Sequence, residues 1–231
     1  MNRADLGKDP KAVASMFDQV ARRYDLVNDL LSLGRTKAWR KKVVKLIGPK
    51  PGMEILDIAA GPGSSSEPLY KAGANVTAMD FSEGMIEVGK KKRPYLNFVK
   101  GDALKLPFKD NQFDVTTISF GLRNTNDYEK ALREALRVTK VGGRMVIVEF
   151  SSPTFFIFRK IYMNYLMKLL PKIAKRTASN PEAYVYLAES IRAWPDQSAL
   201  VAKMSANGWQ NPTWKNLTGG VVAVHTGIKG S

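Results

Sequence analysis

Glu54-Ile55-Leu56-Asp57-Ile58-Ala59-Ala60-Gly61-Pro62-Gly63-Ser64-Ser65-Ser66 is an apolar run that stops at a Gly-x-Gly turn. Twenty-three residues beyond Asp57, Asp80 closes a second run, Val76-Thr77-Ala78-Met79-Asp80. The order is strand, glycine turn, helix, strand, acid. Glycines at such a turn let bare backbone approach a ligand, and a carboxylate at the next strand tip can accept both hydroxyls of a ribose. The pattern predicts a site for a nucleoside-bearing cofactor.

A dinucleotide-binding turn normally continues to a third glycine, which lets a helix N-terminus approach a pyrophosphate. Ser66 stands at that position here, which weakens a dinucleotide reading. S-adenosylmethionine has no phosphate and carries an amino acid and a sulfonium beside its ribose. For that ligand Asp57 is the candidate for the ammonium, the backbone of Gly61 and Gly63 for the methionine moiety, and Asp80 for the ribose. Taken alone, Gly-Pro-Gly is weak evidence, because such turns also join strand to helix where nothing binds.

Gly101-Asp102-Ala103 follows the β-like run Asn97-Phe98-Val99-Lys100, putting Asp102 and Ala103 at a third strand tip. There the carboxylate can accept from an adenine amino group, with Phe81, Met85 and Leu104 as candidates to sandwich the ring. Each has a plainer explanation: Asp102 as a cap or turn residue, Phe81 and Met85 as core. Three acids at three successive strand ends carry more weight than any one of them.

Size and composition bound the alternatives. At 231 residues, 44% hydrophobic and 25% charged, the chain suits one α/β domain with a full core. The start, Met1-Asn2-Arg3-Ala4-Asp5, lacks the apolar segment of a signal peptide, and no apolar run approaches the roughly 20 residues that span a bilayer. A cytoplasmic protein is expected, with peripheral contact at the inner membrane face. The absence of cysteine excludes thiolate catalysis and Cys-ligated zinc, and the single histidine argues against a protein metal site. A net charge of +15 calls for a polyanionic partner, nucleic acid or anionic lipid. The charge clusters in acid-free stretches between Asp29 and Glu54 and from Phe150 to Pro181, although a solvated helix face is the commoner meaning of such runs.

Along the chain, helices are expected between about Val13 and Ile47 as an N-terminal cap. Strands follow near Glu54–Ile58, Val76–Met79, Asn97–Val99, Phe113–Ile118 and Arg144–Phe150, the last after a Gly142-Gly143 turn. Helices are expected after Ser64, near Met85–Lys91 and near Asp127–Val138. Repeated β-then-α units imply a mostly parallel sheet binding ligands at its strand C-termini. A helical insertion is expected near 152–206, then β-like segments Pro212–Asn216 and Gly219–Gly227. The division is one domain over 1–231: a cap (1–50), a cofactor-binding half (51–151), and substrate-side helices with a C-terminal hairpin (152–231).

Four further segments narrow the reading: Phe17-Asp18-Gln19-Val20-Ala21-Arg22-Arg23-Tyr24-Asp25-Leu26-Val27-Asn28-Asp29, Gly121-Leu122-Arg123-Asn124, Tyr186-Leu187-Ala188-Glu189-Ser190-Ile191-Arg192-Ala193-Trp194-Pro195-Asp196-Gln197, and Asn216-Leu217-Thr218-Gly219-Gly220-Val221-Val222-Ala223-Val224-His225-Thr226-Gly227. With the three strand-tip acids, they resemble the ubiquinone/menaquinone biosynthesis C-methyltransferases, the UbiE/MenG family, from about Phe17 to Gly227. The resemblance implies a class I S-adenosylmethionine-dependent methyltransferase fold, Rossmann-like, with an antiparallel C-terminal hairpin. It further implies methylation of a ring carbon of a polyprenylated quinol, demethylmenaquinol or its benzoquinol counterpart. Pro62 departs from the family's usual Gly-Thr-Gly and removes a hydroxyl and a backbone N–H.

A lipid substrate accords with Phe155-Phe156-Ile157-Phe158-Arg159-Lys160-Ile161-Tyr162-Met163-Asn164-Tyr165-Leu166-Met167-Lys168-Leu169-Leu170, which mixes aromatics, methionines and lysines as an interfacial helix does. For the chemistry, Ser119 is assigned to the cofactor side of the fourth strand tip, and Arg123 and Asn124 to a quinolate oxygen, with Tyr24 reaching it from the cap. A plain ion pair of Arg123 with Asp127 is the competing assignment, as is a turn role for Asn124. His225 has the pKa range of a general base, but a lone histidine in a β-rich tail is more often structural. Glu189, Arg192 and Asp196 are candidates for a lid network or for helix-surface ion pairs. No nucleic-acid substrate is expected, since the fourth strand lacks an Asn/Asp-Pro-Pro-aromatic signature. The oligomeric state is open, a homodimer included.

Overall fold

A computed structural model describes residues 7–20, 34–169 and 181–231. Its centre is β1 (Glu54–Ile58), whose Ile55, Leu56, Asp57 and Ile58 are all buried. A strand covered on both faces cannot alternate, and Ile55, Leu56 and Ile58 accordingly run apolar on both sides of β1, with Asp57 as its one buried acid. It pairs in parallel with β2 (Asn75–Asp80) on one side and β4 (Phe113–Ser119) on the other. β3 (Asn97–Lys100) extends the sheet beyond β2, and β5 (Thr139–Phe150) lies beside β4, both in parallel register. β7 (Val222–Lys229) pairs antiparallel with β5 and with β6 (Trp209–Leu217), giving the seven-stranded order β3-β2-β1-β4-β5-β7-β6. The expected mixed sheet with its C-terminal hairpin is present.

Helices cover both faces. α1 (Pro10–Val20) and α2 (Thr36–Ile47) precede the sheet, and α2 ends at Gly48, which takes the left-handed φ of 55° of a helix stop. α3 (Ser66–Lys71) and α4 (Glu83–Lys92) follow β1 and β2. Ser82 caps α4 by accepting from the Met85 N–H at 3.0 Å. α5 (Tyr128–Val138) buries Ala131, Leu132, Ala135 and Val138, one helical stripe against the sheet. α6 (Phe156–Asn164) continues through a π-turn at Tyr165–Leu169, and α7 (Pro181–Ala193) and α8 (Gln197–Ala206) complete the insertion.

Boundaries differ from expectation where pairing overrode local signals. β5 begins at Thr139, and Gly142-Gly143 is carried inside it through a register shift opposite Phe113–Val115. Asp127 lies outside α5 as its cap, accepting from the Lys130 N–H at 2.9 Å. The site follows from the strand order: the chain runs outward from β1 to β3, then returns to β4 on the other side. Helices leave β1 and β4 in opposite directions and open a crevice at their C-terminal ends.

Candidate active site

The crevice is an open cleft of about 810 Å³, mouth included, running from the β1 turn across the tips of β2 and β3 to the loop after β4. Gly61, Asp80, Phe81, Met85, Asp102, Ala103, Leu104 and Asn124 all line it. Asp80 stands at its centre. One carboxylate oxygen accepts the Gly61 N–H at 2.7 Å and the other the Ser82 N–H at 2.9 Å, so the acid ties the glycine turn to the N-terminus of α4. Burial raises its pKa against the lowering effect of those N–H groups. Asp102 turns one oxygen onto the Leu104 N–H at 2.8 Å, a local turn bond, while its side chain remains on the cleft wall. Met85 is buried and Phe81 is 38% exposed, so the first serves core and cleft together and the second lines the cleft with part of its ring in solvent.

Asp57 lies behind this wall, fully buried, with one oxygen accepting the hydroxyls of Ser65 at 2.7 Å and Ser66 at 2.6 Å. Burial pushes its carboxyl up to about 6, opposed by the two serines and by Arg40. Gly63, expected to meet the methionine moiety, is on neither cleft wall. Its φ of 82° and its packing require glycine, since a Cβ there would come within 2.8 Å of Leu96 and 2.9 Å of Phe98. The Pro62 carbonyl accepts from Arg93 at 2.9 Å, and Arg93 also donates to Glu67 at 2.8 Å, so a side chain anchors the turn that proline leaves short of a donor.

At the fourth strand tip, Arg123 donates to the Phe120 carbonyl at 2.8 Å and to Glu149 at 2.6 Å. Its ion-pair partner is therefore Glu149 on β5 and not Asp127, which is engaged in capping. The guanidinium also stands 5.2 Å from the Phe150 ring centroid, and Arg123 lines neither cleft. Asn124 does reach the cleft. Its side-chain nitrogen donates to the Phe120 carbonyl at 3.3 Å and its oxygen accepts from the Tyr186 hydroxyl at 3.2 Å. Ser119 lines a second, adjoining cleft. Tyr24 lies outside the described residues.

His225 is buried in β7 with one ring nitrogen 3.0 Å from the Gln197 carbonyl; burial lowers its pKa, and it lines neither cleft. Asp196 caps α8, accepting from the Ala199 N–H at 2.9 Å. Arg192 is exposed and Glu189 half-buried, and neither reaches a cleft wall. The sequence gives no sign of two further features. α1 roofs the cleft with Pro10, Val13, Ala14 and Phe17, tied down by Asp18, which accepts from the Ser82 hydroxyl and the Gly84 N–H. Ala59 and Phe120 hold left-handed backbones (φ 53° and 58°) at the tips of β1 and β4. Non-glycine residues are uncommon there and gather where a site fixes the chain.

The model of the ubiE/COQ5 methyltransferase family matches residues 5–229. The chain belongs to this family. Its relatives include the demethylmenaquinone methyltransferase of Renibacterium salmoninarum, 57% identical over 99% of this chain and 97% of that one. That of Streptomyces avermitilis is 58% identical over 99% of both. Among solved structures, an S-adenosylmethionine-dependent methyltransferase from Thermotoga maritima superposes with a TM-score of 0.69 at 20% identity, over 94% of this chain and 99% of that one, a likeness of fold. The protein is thus a methyltransferase, with S-adenosylmethionine as its methyl donor. The residues present fit that donor: Asp80 has its carboxylate on the cleft wall beside bare glycine backbone, and Asp57 keeps one buried oxygen to which no described residue donates.

Proposed function

We propose that the protein methylates a ring carbon of demethylmenaquinol, a polyprenyl naphthoquinol, to give menaquinol. The observation that carries this reading is 57–58% identity, over 99% of the chain, to proteins named demethylmenaquinone methyltransferase. The bound donor supplies an electrophilic methyl on a sulfonium. Asp80 receives the ribose hydroxyls, Asp102 the adenine amino group, and Met85, Leu104 and Phe81 flank the ring. Asn124 faces the acceptor from the opposite wall and orients a quinol oxygen. Arg123 is a positioning residue: by gripping the Phe120 carbonyl and Glu149 it fixes the loop that presents Asn124. A quinol carbon becomes nucleophilic as its hydroxyl loses or shares its proton, so the oxidised quinone is not a substrate. Holding acceptor and donor in line supplies most of the acceleration.

The insertion suits a lipid acceptor. Phe155, Phe156, Ile157 and Ile161 are each at least 59% exposed, beside Arg159 and Lys160, while Phe158, Tyr162 and Met163 pack inward. An apolar face rimmed with cations, on a chain of net charge +15, fits the surface of an anionic bilayer. No described helix is long and apolar enough to cross a membrane.

Purified protein given labelled S-adenosylmethionine and chemically reduced demethylmenaquinol should yield menaquinol by mass spectrometry, and the oxidised quinone none. Methylation of a reduced polyprenyl benzoquinol in preference would move the assignment to that ring.

A further inference from the structure

Lys8 lines the first cleft from the turn just ahead of α1. Asp9 caps that helix by accepting the Ala12 N–H at 2.9 Å, and Pro10 takes its first position, which fixes the direction of the chain entering it. At that entry Lys8 holds a left-handed backbone, φ 55°, which a lysine rarely adopts and which gathers where a site fixes the chain. Lys8 is half-buried, and its Nζ stands 5.9 Å from the Trp194 ring centroid, at the outer reach of a cation–π contact. No described residue gives that ammonium a hydrogen bond or an ion pair. Burial first, and then the Arg123 charge, hold the Lys8 pKa below the ordinary lysine value, against the opposing pull of Glu149, which is itself paired with Arg123. A cation withdrawn from water without a counter-charge is costly, and an anion brought into the cleft would relieve that cost.

The charges on this wall are divided by place. Asp80 and Asp102 stand at the tips of β2 and β3, where the nucleoside of the donor is assigned. Lys8 is the one cation among the described lining residues, and the action of Arg123 and Glu149 upon it sets it toward β4 and β5, where Asn124, Thr125 and Asn126 line the cleft. We propose that Lys8 is a further catalytic residue, whose ammonium holds the quinol oxygen as that oxygen becomes anionic. The proposal rests on the quinol reading above and names the group that makes the ring carbon nucleophilic. As the hydroxyl proton passes to solvent, the oxygen gains the charge that Lys8 offsets. The ring carbon then forms its bond to the methyl while the carbon–sulfur bond breaks and leaves its pair on sulfur. Loss of the proton from that carbon restores the aromatic ring as the oxygen is reprotonated, so one proton is released overall. A fixed cation beside the oxygen favours the charged state more than the neutral one, which is what accelerates the step.

Wild type, Lys8→Met and Lys8→Arg are assayed with labelled donor and a reduced short-chain analogue of demethylmenaquinol, and titrated with S-adenosylhomocysteine by calorimetry. Lys8→Met keeps the length of the side chain without its charge, and should lower kcat about a hundredfold. Its affinity for S-adenosylhomocysteine should stay within about twofold of wild type, a result that also reports an intact fold. Lys8→Arg keeps the charge and should stay within about tenfold of wild-type kcat. On a quinol chlorinated on the ring that is not methylated, whose hydroxyl ionises more readily, the loss in Lys8→Met should shrink to about tenfold or less. A Lys8→Met protein with kcat within about twofold of wild type, an equal loss on both quinols, a Lys8→Arg protein as slow as Lys8→Met, or a fall in S-adenosylhomocysteine affinity matching the fall in rate removes Lys8 from the chemistry. A wild-type protein that binds S-adenosylhomocysteine but methylates neither quinol overturns the quinol reading itself, and the proposal with it.

Discussion

Nη1 of Arg123 stands 2.6 Å from Oε1 of Glu149, and both side chains are almost entirely withdrawn from water. The pair joins the loop after β4 to the end of β5. Glu149→Gln would leave the guanidinium buried without its counter-charge, which costs about 3–5 kcal/mol. Urea denaturation should show that loss as a lower midpoint. Arg123→Met combined with Glu149→Leu should recover much of the stability while methyl transfer stays slow and donor affinity stays near wild type. A double variant with wild-type turnover would remove Arg123 from the mechanism.

Asp80 anchors two backbone N–H groups and also faces the cleft. Asparagine offers one acceptor oxygen in place of two, so either the Gly61 bond or a ribose hydroxyl goes unmatched. Asp80→Asn should raise the donor dissociation constant about 10- to 100-fold in calorimetry. Unchanged affinity would take the ribose away from this residue.

Asp57 gives a pH signature. Its folded pKa, pushed up to about 6 from 3.8, means that the folded chain holds this proton more tightly than the unfolded chain. Its contribution to stability is therefore greatest below about pH 4 and is lost as pH rises through 6, a difference of about 3 kcal/mol. Asp57→Asn should flatten that component and make the unliganded protein more stable than wild type at pH 7 to 8, as measured by thermal unfolding across pH. A donor ammonium requires the ionised carboxylate, so wild-type donor affinity should fall below about pH 6. An Asp57→Asn protein less stable than wild type at pH 8 would contradict the burial cost assigned here.

The outer face of α6 should control lipid contact. Replacing Phe156 and Ile161, 65% and 61% exposed, with serine should reduce sedimentation with anionic vesicles about tenfold or more and leave thermal stability almost unchanged. Activity on a water-soluble, short-chain quinol should survive. Wild-type vesicle binding by the double variant would assign the face to another partner.

The sequence by itself determined the strand-turn-helix units, the mixed sheet, the cofactor turn and the acids at three strand tips. Those features follow from short-range rules: a strand buried on both faces is mostly apolar, a turn of this kind takes glycine, and a strand end falls where the apolar run stops. It also placed Asp80, Asp102, Met85 and Asn124 on the cleft, because strand tips in such a sheet converge at one edge. Only the tertiary structure decided which charges meet. Arg123 finds Glu149, 26 residues away, because β5 lies beside β4, whereas Asp127, nearer along the chain, is used up as a cap. The influence of the Arg40 charge on Asp57 depends likewise on how α2 docks. The left-handed backbones of Ala59 and Phe120 leave no mark in residue type, since packing at the switch point imposes them. Side-chain partnership is a property of register and docking, which a linear pattern does not encode.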